Sequence, residues 1–258
     1  MRSNPAHFNI KTRLYHPQAG EGCLLADDAE TASIQKVLRL KPGDPIAAFN
    51  GDGVEYIYQI DEAGKKTLEG LKVDEFRNPL DALPTTQVWI ASTKRKTKYR
   101  IVSDLPPLGV TSILFYIAER SVSQPDRKQT ERLQKIAIEA CRQCGRSTIP
   151  SVTIHEQPLH QVWEQTQELD GSTIVFWEDE TAQDLSLEGR GEEPVRLIFG
   201  PEGGFCPAEV DYASQRGAKR VSLGPRILRS ELALVVGVTL AQSQRGLLTV
   251  PKKRQPAP

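Results

Sequence analysis

Residues 195–205 read VRLIFGPEGGF, an apolar run that stops abruptly at a loop containing three glycines. The run 195–199 has the length and the branched side chains of a buried strand. Pro207, just beyond the loop, lacks the amide hydrogen that a first helical residue would leave unpaired, so it predicts a helix start. The stretch therefore predicts a strand, a tight loop and a helix, the unit from which parallel sheets are built.

A second glycine loop, SLGPRILRSE (222–231), overlaps the end of another predicted strand, 220–223. It opens the last predicted helix, 231–244, with Ser230 as the expected N-cap. Arginines and a glutamate beside a helix N-terminus suit the binding of a polar or anionic group. Each loop also has an ordinary alternative, in which its glycines serve turn geometry and its charges cap a helix.

Strand-like and helical patterns alternate through the C-terminal two thirds of the chain. The predicted strands are 88–91, 112–117, 152–154, 173–177, 195–199 and 220–223. The clearest helix is 130–144, with Gly145 as its stop. This alternation predicts an α/β fold with a mostly parallel sheet. The helix 231–244 is apolar nearly all round, so we expect it to be buried by a second subunit or enclosed within the monomer.

The N-terminal third has a different rhythm, with short β-branched or aromatic runs. They predict strands at 13–16, 46–49, 54–60 and 68–73, with a helix at 28–40. Asn50-Gly51-Asp52-Gly53 tolerates positive φ and predicts a hairpin between two of these strands. A small β-barrel domain fits the pattern. The polar, proline-bearing stretch 77–84 is the expected domain boundary.

The charge of the chain is unevenly distributed although its formal total is zero. Residues 94–150 carry a net charge of +7 and residues 196–258 carry +6, whereas residues 151–195 carry −10 and residues 1–93 carry −3. Basic surface that gathers on one face attracts polyanions, because the field is local and screened over about 10 Å. The pattern indicates a nucleic-acid partner, with charges spread over solvated faces as the alternative.

The composition is that of a folded protein with one large or two modest domains. Of 258 residues, 38% are hydrophobic and 26% are charged. No apolar run approaches the roughly 20 residues needed to span a bilayer, and Met1 is followed by polar residues in place of a secretory signal. Four scattered cysteines are too few for a disulfide framework. We therefore expect a cytoplasmic protein with reduced thiols and no membrane partner.

Cys141 and Cys144 have the spacing of a zinc or redox pair, but they lie on the apolar face of the predicted helix 130–144. A zinc site needs further ligands, and the sequence offers no second pair. We therefore expect no metal.

Several segments together carry a resemblance to a known family. GPEGGF (200–205) and LGPRILRSE (223–231), preceded by ERLQKIAIEACRQCGRSTIP (131–150), resemble segments of the bacterial 16S ribosomal RNA uridine-N3 methyltransferases of the SPOUT class. Further similar segments are KTRLYHP (11–17), KVLRLKPGD (36–44), LGV (108–110) and ERSV (119–122). The resemblance extends over most of the chain, and the two C-terminal loops in this order are its most specific part.

The resemblance implies a PUA-like β-barrel RNA-binding domain over residues 1–80. It implies a SPOUT-type α/β methyltransferase domain over residues 81–250, whose C-terminal part forms a deep trefoil knot, a rare topology. A homodimer is implied as well, in agreement with the interpretation of the last helix. Residues 251–258 are interpreted as a basic, disordered tail.

The cofactor that the resemblance implies is S-adenosyl-L-methionine, held in the knot loops with its adenine contacted largely by main chain. Carried over to this sequence, the cofactor-binding residues are Trp177, Phe199, Gly200, Gly203, Gly204, Leu223, Gly224, Ile227 and Leu228.

Methylation of uracil N3 requires loss of a proton from that nitrogen, so the site must favour the uracil anion. Arg229 is the expected stabiliser of negative charge on the uracil oxygens, since a guanidinium stays charged. Glu231 or Glu202 is expected to accept the proton or to orient Arg229. The alternative for either glutamate is a helix cap or a salt bridge.

The implied partner is ribosomal RNA of the small subunit, which basic side chains would contact through phosphates. The expected RNA-binding residues are Arg13, Arg39, Lys94, Lys96, Lys98, Arg120, Arg142 and Arg146.

The sequence departs from the family pattern at four positions. Pro107 stands where glutamate is usual, Ser33 where histidine is common and Cys206 where serine is usual. Leu232 replaces a threonine directly after Glu231. Two alternatives therefore stay open: a non-catalytic RNA-binding or ribosome-assembly protein on the same fold, and methylation of a different RNA.

Overall fold

The computed structural model describes residues 9–26, 29–78, 81, 84–166, 168–180, 185–187 and 191–249. The predicted tail, 251–258, lies outside these ranges, as do residues 79, 80, 82 and 83 of the expected boundary 77–84. The chain divides into two compact units. One unit is Met1–Ala82 with Ile138–Ile149, and the other is Leu83–Ala137 with Pro150–Pro258.

The first unit contains a five-stranded sheet in the order β1-β3-β4-β5-β2, in which β1 pairs parallel with β3 and the other pairs are antiparallel. Its elements are β1 (Arg13–Tyr15), β2 (Cys23–Ala26), α1 (Ala29–Leu38), β3 (Pro45–Phe49), β4 (Val54–Ala63) and β5 (Leu68–Arg77). The predicted hairpin between β3 and β4 is confirmed, with Gly51 at φ +105° and Gly53 at φ +84°. The core includes Leu24, Ile46 and Tyr58. Strand β2 was not predicted.

The second unit contains a six-stranded sheet in which every pair is parallel, in the order β11-β9-β10-β6-β7-β8. Its strands are β6 (Thr86–Ala91), β7 (Ser112–Ile117), β8 (Ser151–Pro158), β9 (Ser172–Phe176), β10 (Val195–Phe199) and β11 (Lys219–Val221). Its helices are α2 (Arg95–Asp104), α4 (Leu159–Gln165), α5 (Pro207–Gln215) and α6 (Ser230–Gln244). The predicted α/β fold with a parallel sheet is confirmed.

Helix α3 (Thr130–Cys144) has the bounds that the sequence predicted. Its residues divide between the two units, since Leu133 belongs to the core of the second unit and Cys141 to the first unit.

The alternation of side chains along the parallel strands builds an apolar core on each face of the sheet. One face, with Ile90 and Phe115, packs against residues of α2, α3 and α6. The other face, with Trp89 and Tyr116, packs against residues of α4 and α5. Both faces are covered, which explains why these strands are apolar runs without polar alternation.

Helix α6 is only partly buried within this chain. Leu234, Val238 and Ala241 are buried, whereas Leu232 is 50% exposed and Leu240 is 42% exposed. Enclosure of the whole helix within the monomer, one of the two expectations, is therefore wrong. Among the residues that the structure describes, no helix is both long and apolar enough to span a membrane.

Candidate functional site

A cavity of about 940 Å³ opens in the second unit, at the carboxyl edge of the parallel sheet. The loops that follow β9, β10 and β11 line it, together with Lys94 and Thr97 at the start of α2. Parallel strands bring all their carboxyl ends to one edge, which is where open α/β sheets bind ligands. The two glycine loops singled out in the sequence meet in this cavity.

The first loop is held by close contacts that its glycines permit. Gly204 has φ +73°, and a Cβ there would collide with the carboxylate of Glu178 in the loop after β9. A Cβ at Gly200 would lie 2.8 Å from the ring of Phe205. Gly200 and Gly204 line the cavity, whereas Gly203 faces Arg120, whose carbonyl oxygen would lie 3.2 Å from a Cβ at Gly203.

The second loop exposes backbone and side chains to the cavity. Gly224 has φ +104° with open space where a side chain would stand, and Ile227 is 89% exposed. Arg229 occupies the N-cap position of α6 and makes no side-chain cap hydrogen bond. The prediction of Ser230 as the N-cap is wrong: Ser230 is the first helical residue, and its hydroxyl donates to Glu231 Oε2 at 3.4 Å.

Aromatic rings close the floor of the cavity. Phe176 and Phe199 end their strands with rings stacked 4.7 Å apart at 14°. Gly237 of α6 makes room for them, since a Cβ there would lie 2.9 Å from the Phe199 ring.

Trp177 contributes a polar group that the fold leaves unsatisfied. Its indole Nε1 is buried and finds no hydrogen-bond partner among the residues that the structure describes. Buried donors are nearly always satisfied in native proteins. A ligand with an acceptor atom at this wall of the cavity would meet that requirement.

The lining carries charges of both signs, from Lys94, Arg226 and Arg229 and from Glu178, Glu180, Glu202 and Glu231. Three of the carboxylates have partners: Glu180 pairs with Arg220 at 3.4 Å, Glu202 accepts a hydrogen bond from Thr93 at 2.5 Å, and Glu231 accepts the 3.4 Å bond from Ser230. Mixed charge of this kind suits a ligand with both cationic and anionic groups.

The residues expected to bind a cofactor or to act in catalysis lie together in this lining, except Gly203. Thr93, Thr97 and Arg226 were not among the expected site residues. The polar residues directly after the predicted strand 88–91 could have indicated Thr93 and Thr97, because ligand contacts gather at the carboxyl ends of parallel strands.

Three residues expected to bind RNA are instead taken up by the fold, which corrects the prediction for Arg13, Arg146 and Lys98: Arg146 and Lys98 are buried, and the side chain of Arg13 is 15% exposed. The guanidinium of Arg13 makes a bidentate bond to Glu55 at 2.6 and 2.7 Å and donates to the carbonyl of Arg146 at 2.7 Å. Arg146 pairs with the buried carboxylate of Asp81 at 3.5 Å. These contacts lie within the first unit, where the two arginines stabilise the fold.

Lys98 is 1% exposed, with its amine 5.9 Å from the ring centroid of Phe115. Burial lowers its pKa. The remaining expected RNA contacts are on the surface or part-buried: Arg39, Lys94, Lys96 and Arg120 are exposed, and Arg142 bonds Glu139 at 2.6 and 2.8 Å.

Cys141 is a buried core residue of the first unit. Its thiol donates to the carbonyl of Thr148 at 3.4 Å, and burial raises the pKa of the Cys141 thiol to about 12. A thiol held protonated in this way is a poor nucleophile and a poor metal ligand.

Comparison with known proteins agrees with this architecture. Residues 81–242 match an RNA methyltransferase domain family, and residues 34–72 match the RNA methyltransferase PUA domain. The ribosomal RNA small subunit methyltransferase E of Bacillus subtilis (strain 168) is 30% identical over 233 residues, covering 85% of this chain and 89% of that protein. Its namesake from Rickettsia conorii is 28% identical over 227 residues, covering 83% and 86% of the two chains.

A solved structure has the same fold. The crystal structure of ribosomal RNA small subunit methyltransferase E from Neisseria gonorrhoeae bound to S-adenosyl methionine has a TM-score of 0.76 and 25% identity. It covers 90% of this chain and 97% of its own. Together, these matches show that the chain belongs to the family of the ribosomal RNA small subunit methyltransferases E.

Proposed function

We propose that this protein transfers a methyl group from S-adenosyl-L-methionine to N3 of one uridine in the 16S ribosomal RNA of the small subunit. Family membership supports a methyltransferase that acts on ribosomal RNA. The observation that carries the proposal is the cavity in which both glycine loops come together with Arg229, Glu202 and Glu231.

The cavity fits the cofactor. Its volume of about 940 Å³ lies within the range of small-molecule sites, and the orphaned indole N–H of Trp177 offers a donor for an acceptor atom of the ligand. The Neisseria relative was solved with S-adenosyl methionine bound. The residues proposed to bind the cofactor in this chain are Trp177, Phe199, Gly200, Gly204, Leu223, Gly224, Ile227 and Leu228. Gly203 is proposed to act through the shape of the loop.

S-adenosylmethionine supplies an electrophilic methyl group whose bonding electrons stay with the departing sulfur. The protein has to orient the uracil and to remove its N3 proton. Arg229, exposed at the start of α6, is placed to stabilise negative charge on the uracil oxygens. Glu202 and Glu231 line the same cavity and are the candidate proton acceptors.

Contact with RNA is assigned to the basic residues that remain at the surface. Lys94 lines the cavity and Lys96 follows it on the exposed side of α2. Arg120 is exposed, and its guanidinium lies 3.4 Å from the carbonyl of Gly203 in the first glycine loop. Arg39 and Arg142 complete the proposed set, and phosphate contacts of this kind should make binding fall steeply with salt.

The assembly is proposed to be a homodimer formed through α6. Leu232 and Leu240 lie eight residues apart on one side of that helix and are half exposed. These exposed apolar side chains are available to pack against a second copy of the chain. The same proposal includes a trefoil knot in the C-terminal part, domain bounds of 1–80 and 81–250, and a cytoplasmic location.

The test combines binding with product mapping. Calorimetric titration of the folded protein with S-adenosylmethionine should give a saturable heat of binding. When 16S RNA or small subunits are incubated with the protein and S-adenosylmethionine, one N3-methyluridine should form. Arg229→Ala should lower turnover by about 100-fold or more, while the cofactor still binds. The exposed Arg100→Ala serves as the matched control.

Absence of cofactor binding would favour the non-catalytic RNA-binding protein. Methylation at another base or in another RNA would favour the second alternative. Near-normal turnover of Arg229→Ala would remove that residue from the mechanism.

A further inference from the structure

A buried hydroxyl holds one of the two candidate proton acceptors. Thr93 is 3% exposed, and its Oγ1 donates to Glu202 Oε1 at 2.5 Å. The other oxygen of this carboxylate, Oε2, accepts no hydrogen bond from any residue that the structure describes. Glu202 thus has one oxygen fixed by the protein and one available to a substrate.

Tyr116 forms hydrogen bonds with backbone groups near both Thr93 and Glu202. The amide of Ser92, next to Thr93, donates to the carbonyl of Tyr116 at 2.7 Å. The hydroxyl of Tyr116 donates to the carbonyl of Phe199 at 3.0 Å, where the loop that carries Glu202 begins. Strands β6 and β10 also pair directly, with Phe199 opposite Ile90, so the chain is held on both sides just before Thr93 and Glu202.

Glu231 has a weaker hold. Within the described part of the chain, its only side-chain hydrogen bond comes from the adjacent hydroxyl of Ser230 and is 3.4 Å long. A contact of that length between sequence neighbours does little to select one side-chain conformation. Of the two carboxylates, Glu202 is the preorganised one, and preorganisation is what a catalytic proton acceptor needs.

We propose that Thr93 is a positioning residue that makes Glu202, and not Glu231, the acceptor of the uracil N3 proton. The inference rests on the proposed function. In this step an O–H bond forms at Glu202 Oε2 as the N3–H bond breaks, and the electron pair stays on N3 for attack on the methyl group. The proton is then bound to Glu202. Arg229 stabilises the negative charge that is delocalised onto the uracil oxygens.

The chemistry of Thr93 suits this task. A lysine or arginine at the same place would form an ion pair with Glu202 and compete with the substrate for the carboxylate. A neutral hydroxyl orients the carboxylate without adding a positive charge beside it.

The test uses the full-length protein with 16S RNA or small subunits as substrate. Thr93→Val removes the hydroxyl at nearly constant shape, and Thr93→Ser keeps it. We expect Thr93→Val to lower kcat about 10-fold, with KM for RNA and the calorimetric Kd for S-adenosylmethionine within about twofold of the parent. Thr93→Ser should restore kcat. Glu202→Gln should lower kcat about 100-fold or more, and Glu231→Gln much less.

Two further measurements exclude a purely structural role. The double variant Thr93→Val with Glu202→Gln should be no slower than Glu202→Gln alone, because the hydroxyl acts through that carboxylate. In the ligand-free protein labelled with ¹³C-glutamate, the Glu202 carboxyl resonance, assigned by its loss in Glu202→Gln, should move in Thr93→Val and return in Thr93→Ser.

The outcomes separate the two proposals. If the parent protein forms no N3-methyluridine, the proposed function fails, while the carboxyl resonance still reports on the contact. Two results would overturn the positioning role in a parent protein that forms N3-methyluridine. Thr93→Val could keep the full kcat, or the losses of kcat caused by Thr93→Val and Glu202→Gln could multiply in the double variant. Greater loss in Glu231→Gln than in Glu202→Gln overturns the choice of Glu202.

Discussion

The hydroxyl of Tyr116 on β7 donates a hydrogen bond to the carbonyl of Phe199 at the end of β10 at 3.0 Å. Strand β6 lies between these two strands in the sheet, so the tyrosine reaches across its neighbour. The ring is fully buried, and burial raises the pKa of Tyr116 well above its usual range, so the hydroxyl stays protonated and remains a donor. The contact fixes the point at which the first glycine loop leaves the sheet.

Tyr116→Phe should destabilise the protein and weaken the cofactor site. The substitution leaves the buried carbonyl of Phe199 without this donor, which costs about 1–3 kcal/mol. Urea unfolding should show the loss, and calorimetry should show a higher Kd for S-adenosylmethionine. Tyr99→Phe, on the partly exposed side of α2, is the control and should change neither. An unchanged Kd in Tyr116→Phe would mean that the loop does not depend on this bond.

Much of this architecture could be predicted from hydrophobic periodicity and from the glycine and proline residues that end helices and strands. Both glycine loops follow strands, α3 has the predicted bounds, and α6 begins one residue before the predicted helix. Helix α2 was not predicted, because its sequence RKTKYRIVSD has few apolar residues, and only Lys98, Ile101 and Val102 are buried. Strand β2 was missed because its sequence, CLLA, contains no β-branched or aromatic residue.

The site was predictable to the extent that parallel strands bring their loops to one edge. The burial of Arg146 and Lys98 and the pairing of Arg13 could not be predicted, because a count of charges does not show which cations the fold encloses. Arg13 and Glu55 are 42 residues apart in the chain and meet only in the folded first unit. Thr93 belongs to no motif, and its position after a predicted strand does not indicate that it contacts Glu202, which is 109 residues away in the chain.

Removing Arg13 should cost more stability than removing both members of its ion pair. Side-chain exposure is 15% for Arg13 and 7% for Glu55, so Arg13→Met leaves a buried carboxylate without its cation, and the hydroxyl of Ser147 remains as a neutral donor. We expect a loss of about 3–5 kcal/mol for Arg13→Met in denaturant unfolding, and a smaller loss when Glu55→Leu is added. The exposed pair Arg100 and Asp104 supplies the control, since Arg100→Met should cost less than about 1 kcal/mol. Equal losses in the single and double variants would contradict this view of the pair.

Gly237→Ala should harm the cavity although alanine is the better helix former. In an ordinary helix interior this change stabilises by about 0.5–1 kcal/mol. Here the new Cβ would stand 2.9 Å from the ring of Phe199 and 3.1 Å from that of Phe176, two residues that line the cavity. We expect a net loss of about 1–3 kcal/mol from overpacking, with weaker binding of S-adenosylmethionine. Ser243→Ala, exposed on the same helix, should leave binding unchanged. A more stable Gly237→Ala with unaltered affinity would show that the rings move aside without cost.

Lys98→Met should stabilise the protein at neutral pH and lose that advantage in alkali. Burial lowers the pKa of Lys98 below 10.5, and the attraction of Asp126 offsets this only in part. A base with a lowered folded pKa binds its proton more tightly when unfolded, so the cost is fully present below the folded pKa. That cost disappears as the pH rises through the folded pKa toward 10.5.

Methionine keeps the apolar stem without the charge, and we expect a gain of about 1 kcal/mol at pH 7 in urea unfolding, shrinking toward zero as the pH approaches 10.5. The exposed Lys96→Met controls for net charge and should show no such pH dependence. A stability difference that stays constant from pH 7 to pH 10.5, or a loss of stability at pH 7, would mean that the amine of Lys98 is satisfied where it lies. Since Lys98 faces Phe115 and not solvent, the same variant should leave the salt dependence of RNA binding unchanged.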